Sequence, residues 1–84
     1  MSIHFINIWS KLTFKEQKII ISLLNGPLRR VEIANELNVT SGSLSNSLNS
    51  LQNNALIELI DSKYEITDYI FRSWLKNEYA NKVA

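Results

Sequence analysis

With 84 residues and no cysteine, the chain has the length of one small domain and can form neither a disulfide framework nor a thiolate zinc site. Hydrophobic residues make up 45% of it, which indicates a packed core rather than a disordered chain. The net charge of +1 is low for a domain that binds duplex DNA, because phosphate neutralisation supplies most of the affinity of such domains.

The chain shows no pattern for export or membrane insertion. Its longest strongly apolar stretch, residues 19–24, is too short to span a bilayer. No basic segment precedes an apolar block near Met1, as a signal peptide would require. We therefore expect a cytoplasmic protein without a membrane partner.

A first clear helix follows an ambiguous start. Residues 1–10 fit neither a helical nor a strand period cleanly, so they could be a helix, a strand or only an uncertain extension of a single domain that covers residues 1–84. Thr13 and Glu16 then make a capping box, and apolar residues recur behind them at helical spacing. Gly26-Pro27 predicts the end of this helix, with Gly26 as a left-handed cap.

A short second helix is predicted at residues 31–37. Its inward residues are Ile33, Ala34 and Leu37. Asn38 suits a turn residue with positive φ, and Val39 is predicted to fill the corner of that turn.

A third helix is predicted at about Thr40 to Asn53, with Thr40 or Ser41 as its N-cap. Its inward residues are spaced four, three and four apart: Leu44, Leu48, Leu51 and Ala55. The opposite face is polar and uncharged: Ser43, Ser45, Asn46, Ser47, Asn49 and Ser50.

The period then changes to that of strands. Residues 56–60 and 64–67 predict two short strands joined by a hairpin turn at Asp61-Ser62-Lys63. Thr67-Asp68 caps a last helix with a broad apolar face: Ile70, Phe71, Trp74, Leu75 and Tyr79. Residues 80–84 are predicted to fray.

This order of elements resembles a winged helix-turn-helix domain. The residues that carry the resemblance are the Ile33-Ala34 pair, the leucine before the turn, the Ser or Thr that starts the third helix, and the spaced leucines behind it. The resemblance implies a mainly α fold with a small β-hairpin: a three-helix core, a two-stranded wing and an extra C-terminal helix.

A narrower resemblance covers roughly residues 10–79. The run Tyr64-Glu65-Ile66-Thr67-Asp68-Tyr69-Ile70-Phe71-Arg72-Ser73-Trp74-Leu75 is similar to the signature Y-x-I-T-D-P-x-F-R-x-W. That signature closes the C-terminal winged helix of archaeal P-loop ATPases. Tyr69 stands where the family has proline, and Gly26 and Gly42 belong to no Walker-type loop. The resemblance implies either an excised module or a free-standing small protein of the same shape.

The polar face of the third helix predicts contact with DNA. Asn can pair bidentately with adenine, and Ser can bond several base edges. Both residue types lower helix propensity, so their abundance on this face indicates a role other than helix stability. Ser41 and Ser43 would lie in the major groove with the two asparagines, and the cations would hold phosphates. The predicted DNA-contacting residues are Arg29, Arg30, Thr40, Ser41, Ser43, Asn46, Asn49 and Lys63. The alternative is a solvated helix surface with solubilising cations, a role predicted for Lys11, Lys15 and Lys18.

The sequence gives little support for catalysis or for binding a metal or cofactor. His4 stands alone, without cysteine or clustered carboxylates, so we expect no metal, no cofactor and no enzymatic activity. Phe71, Trp74 and Tyr79 suit a core or a partner-docking face, and Trp9 could join them or form a dimerisation surface.

Two functions follow from these patterns. The first is a DNA-binding winged-helix module, such as a transcriptional regulator, that forms a homodimer through Trp9 or through the helix at residues 68–79. The second is a protein-interaction or regulatory module that packs against an archaeal ATPase domain and does not itself bind DNA. The low net charge and the aromatic last helix favour the second.

Overall fold

A computed structural model describes residues 2–83, with side chains for residues 5–78. Its elements are α1 (Ser2–Lys11), α2 (Phe14–Ser22), α3 (Arg30–Leu37), a 3-10 turn (Ser41–Leu44), α4 (Ser45–Asn53), β1 (Ile57–Ile60), β2 (Lys63–Ile66) and α5 (Tyr69–Val83). The described chain is therefore mainly helical with one two-stranded antiparallel hairpin, which confirms this part of the expected fold class. Within residues 2–83, every helix is too short or too polar to cross a membrane.

Helix α1 occupies the region for which the sequence left both a helix and a strand open. Phe5, Ile8, Trp9 and Leu12 lie at helical spacing and pack on the core, whereas Ile6 is exposed and obscures the period. The Phe5 ring lies 5.3 Å from that of Phe71 and 5.6 Å from that of Trp74. Helix α1 thus covers part of the aromatic face of α5.

The capping box at the start of α2 is confirmed, but the predicted end of this helix is wrong. The Thr13 hydroxyl accepts from the Glu16 amide at 3.1 Å, and the Glu16 carboxylate accepts from the Thr13 amide at 2.8 Å. The helix ends at Ser22, and a turn carries the chain to Gly26. Gly26 has a φ of 143°, far from the left-handed helical value of about 57° that a cap would need.

The turn between α3 and α4 agrees with the sequence at Asn38, which has a φ of 60° and a ψ of 45°. Val39 is 36% exposed, so the prediction that it fills the corner is wrong. Thr40 is the N-cap residue, but its side chain makes no capping hydrogen bond and the first turn is a 3-10 turn.

Helix α4 buries its leucines as predicted: Leu44 of the preceding turn, Leu48 and Leu51. Ala55 was also predicted to be buried, and this is wrong. It is exposed and has a φ of 60°, because the helix ends at Asn53 and the chain has already turned towards β1.

The hairpin has a shorter turn than predicted. Ile57 pairs with Ile66 and Ile60 with Lys63, so the connection is the two-residue turn Asp61-Ser62, and Lys63 begins β2. Both turn residues have positive φ (51° and 67°), as a type I′ turn requires. An isolated bridge adds Leu28 beside β2, with backbone hydrogen bonds of 3.0 and 2.7 Å to Tyr64.

Helix α5 begins as predicted and completes the core. The Asp68 carboxylate accepts from the amides of Ile70 (2.9 Å) and Phe71 (3.3 Å). Phe71 and Leu75 are buried and Trp74 is half-buried, but Ile70 is 57% exposed and does not belong to the apolar face. The helix continues to Val83, past the residue at which the sequence predicted fraying; the Tyr79 side chain lies outside the described residues.

Candidate nucleic-acid interface

The outward face of α4 and of the 3-10 turn before it is exposed and uncharged. Its exposed polar residues include Thr40, Ser41, Ser43, Asn46 and Asn49, with Asn53 at the end of the helix. The leucines of the same segment are 0–1% exposed, so this face and the core face are opposite sides of one helix. Five of the predicted DNA-contacting residues therefore share an accessible surface.

Arg30 lies beside this surface and is hydrogen-bonded to it. Its Nε donates to the Ser41 carbonyl at 3.1 Å, and its Nη2 donates to the Ser45 hydroxyl. These bonds connect the first turn of α3 to the start of α4. They use two of the five N–H groups of the half-buried guanidinium. Arg30 thus positions the polar helix as well as placing a charge beside it.

Lys15 of α2 also lies at this surface, although the sequence predicted only a solubilising role for it. Its Nζ donates to the Ser43 carbonyl at 3.4 Å, which places a second cation at the first turn of the same segment. The helix macrodipole adds partial positive charge at this end. The contact joins residues 28 positions apart, so no local pattern could have indicated it.

Arg29 is exposed, next in sequence to Arg30. Its backbone amide donates to the Glu32 carboxylate at 2.7 Å and helps to start α3. The backbone thus has a structural role, while the exposed side chain is accessible to a phosphate.

Lys63 has different surroundings from the other predicted cations. It is exposed on β2, and the hairpin segment 57–66 carries three carboxylates (Glu58, Asp61 and Glu65) against this one lysine, a net charge of −2. Glu58 lies directly opposite Glu65 in the register. Electrostatic support for a phosphate contact is therefore weakest at Lys63, because neighbouring carboxylates repel the phosphates that it would attract.

The described side chains offer no group of three or more His, Cys, Asp or Glu residues that could hold a metal ion. The His4 side chain lies outside the described residues. What the site presents is a polar helix face beside anchored cations, an arrangement suited to binding an extended anion.

No protein-family model matches the chain, and no curated protein matches it.

Proposed function

We propose that the chain is a winged-helix module that binds duplex DNA as part of a transcriptional regulator, with residues 40–53 in the major groove. The observation that carries the proposal is the exposed, uncharged Ser/Asn face of α4 with Arg30 and Lys15 anchored at its first turn. In helix-turn-helix proteins the N-terminal part of the recognition helix contacts base edges, and flanking cations hold phosphates. The order of α2, α3, α4 and the hairpin supports the winged-helix assignment.

The residues divide into two roles. Asn46 and Asn49 would read base edges, since an amide can bond adenine bidentately, and Thr40, Ser41 and Ser43 would line the groove. Arg29, Arg30 and Lys15 would neutralise about three phosphates, which makes binding by a monomer weak and only moderately dependent on salt. Lys63 contributes less, because its hairpin is acidic.

A homodimer would double these contacts and set the spacing of two half-sites. The sequence predicts the dimer interface at Trp9 or on the last helix. Trp74 packs against Phe5 and Phe71. Among the described side chains of α1 and α5, the large apolar residues left exposed for a second copy are Ile6, Tyr69 and Ile70.

The test compares three asparagine-to-alanine variants on a duplex that the wild-type chain selects from a random pool. Asn46→Ala and Asn49→Ala should each weaken binding about tenfold or more, since a bidentate base contact is worth roughly 1–3 kcal/mol. The control is Asn77→Ala, which removes an exposed asparagine of α5 and should bind like the wild type. If all three variants bind alike, the face of α4 does not read DNA.

The hairpin favours a second candidate, a protein-interaction module of the kind that follows the nucleotide-binding domain in archaeal ATPases. Leu59 and Ile60 are 49% and 45% exposed, next to the carboxylates of the same hairpin. Exposed aliphatic side chains within a negative segment suit a protein surface better than a phosphate backbone. Leu59→Ser with Ile60→Ser should abolish binding to an ATPase partner domain on this hypothesis and leave DNA affinity unchanged.

A further inference from the structure

A cavity of about 340 Å³ lies between α1, the start of α2 and the end of α4. Its lining residues are Ile8, Lys11, Leu12, Glu16, Ser50, Asn54 and Leu56. Ser50 belongs to α4, but none of the lining residues is among those proposed to bond bases or phosphates, so the cavity is distinct from the proposed DNA contacts. Its volume lies at the small end of the range of about 300–1,000 Å³ that is usual for small-molecule sites.

Glu16 places a fixed negative charge in this cavity. The residue is only 6% exposed, and its carboxylate accepts from the Thr13 amide at 2.8 Å. Burial alone would raise the pKa of Glu16, but the hydrogen bonds from the Thr13 amide, the Ser50 hydroxyl and the Thr13 hydroxyl outweigh it and lower the pKa. The group is therefore ionised at neutral pH. A carboxylate offers about four acceptor positions, of which the Thr13 amide takes one, so the Glu16 carboxylate can accept a further donor.

The remaining lining residues restrict what could supply that donor. Exposed Lys11 adds a positive charge to the same cavity, so a simple amine would meet an ammonium as well as a carboxylate. The Asn54 amide can donate or accept. Ile8, Leu12 and Leu56 provide the apolar part of the wall. A ligand that fits carries both charges and a short aliphatic body.

We propose that this cavity binds a free aliphatic α-amino acid. Its ammonium group donates to the Glu16 carboxylate, and its carboxylate faces Lys11. Its side chain lies against the three aliphatic residues. The proposal goes beyond DNA binding and does not depend on it.

The test is a two-dimensional ¹H–¹⁵N NMR titration of the whole chain with L-leucine. Saturable shifts are expected at the amides of Lys11, Ser50, Asn54 and Leu56. Two comparators of the same shape separate the charges: leucinol lacks the carboxylate, and 4-methylpentanoate lacks the ammonium. Each should bind about tenfold more weakly or worse, the loss expected for one charge-assisted hydrogen bond. Absence of saturable shifts with leucine, or equal binding of either comparator, would overturn the proposal.

A variant pair checks the carboxylate directly. Glu16→Gln keeps the capping box and nearly the same volume but removes the charge, so leucine binding should fall about tenfold or more. Lys18→Gln changes an exposed residue of α2 that does not line the cavity, and it should bind leucine like the wild type. Unchanged binding in Glu16→Gln would contradict the assigned role. No DNA is present in these titrations, so their outcome is independent of the test of DNA binding.

Discussion

Replacing Arg30 should damage both the fold and DNA binding, whereas replacing its neighbour Arg29 should damage DNA binding alone. The Arg30 guanidinium donates to the Ser41 carbonyl and to the Ser45 hydroxyl, which ties α3 to the start of α4. The exposed Arg29 side chain acts only through its charge in the proposed interface. The two adjacent arginines therefore form a matched pair.

The expected loss follows from those two hydrogen bonds. A hydrogen bond to a charged group contributes about 1.5–3 kcal/mol when it is well shielded from solvent. Arg30 is only half-buried, so screening reduces the sum for Arg30→Ala to about 1–2 kcal/mol of unfolding free energy. In a domain of this size that lowers Tm by roughly 5–15 °C. Arg29→Ala should change the unfolding free energy by less than about 0.5 kcal/mol.

Urea unfolding followed by tryptophan fluorescence and by circular dichroism measures both variants. Arg30→Lys completes the set, because it keeps the charge but lacks the planar fork that reaches two acceptors. It should lose most of the same stability while preserving the salt dependence of DNA binding. The reasoning is refuted if Arg29→Ala and Arg30→Ala are equally stable, or if Arg30→Lys is as stable as the wild type.

Three further predictions concern the hairpin, the buried carboxylate and the glycines. Glu58→Gln and Glu65→Gln should each raise DNA affinity a few-fold at low salt, because they remove charges that repel phosphate. An anisotropy titration measures this, and unchanged affinity would mean that the hairpin lies away from DNA. Because the pKa of Glu16 is lowered, its ionised form stabilises the fold above the unfolded pKa of about 4.3, and this contribution is lost as pH falls through the folded value. In urea unfolding, the stability advantage of the wild type over Glu16→Gln should therefore shrink as the pH falls below the unfolded pKa of about 4.3, and a constant difference would argue against it. Gly26→Ala should lower the unfolding free energy by about 1–2 kcal/mol, because the φ of Gly26 is 143°. Gly42→Ala adds a methyl group in open space and should be neutral or stabilising by up to about 1 kcal/mol. Equal thermal stabilities of the two variants would contradict the backbone assignment.

The features that the sequence predicted well are those whose signals are local. The capping box of Thr13 and Glu16, the positive φ of Asn38 and the cap at Asp68 each depend on residues at most three positions apart. The leucine spacing of α4 is equally local and gave its buried face correctly. Such signals predict where elements begin and which side they bury, because backbone capping and side-chain periodicity act within one or two turns.

The features that the sequence predicted poorly depend on distant contacts. The Lys15 contact with the Ser43 carbonyl spans 28 residues, and Arg72 donates to the Leu24 carbonyl at 3.0 Å across 48 residues. Helix α1 is held by its packing on α5, so its period could not be recognised without knowing which face is covered. The cavity at Glu16 was missed for the same reason, since its lining residues come from α1, α2 and the end of α4.

We propose above all that this chain binds duplex DNA through the polar face of α4 and its anchored cations. Fluorescence anisotropy of a labelled mixed-sequence duplex, titrated with the wild-type chain over a salt series, tests it most directly. Neutralising about three phosphates predicts a slope near −2.7 in log K against log salt, which is about a 40-fold loss of affinity between about 50 and 200 mM. Absence of binding at the lowest salt, or binding that does not change with salt, would contradict the claim.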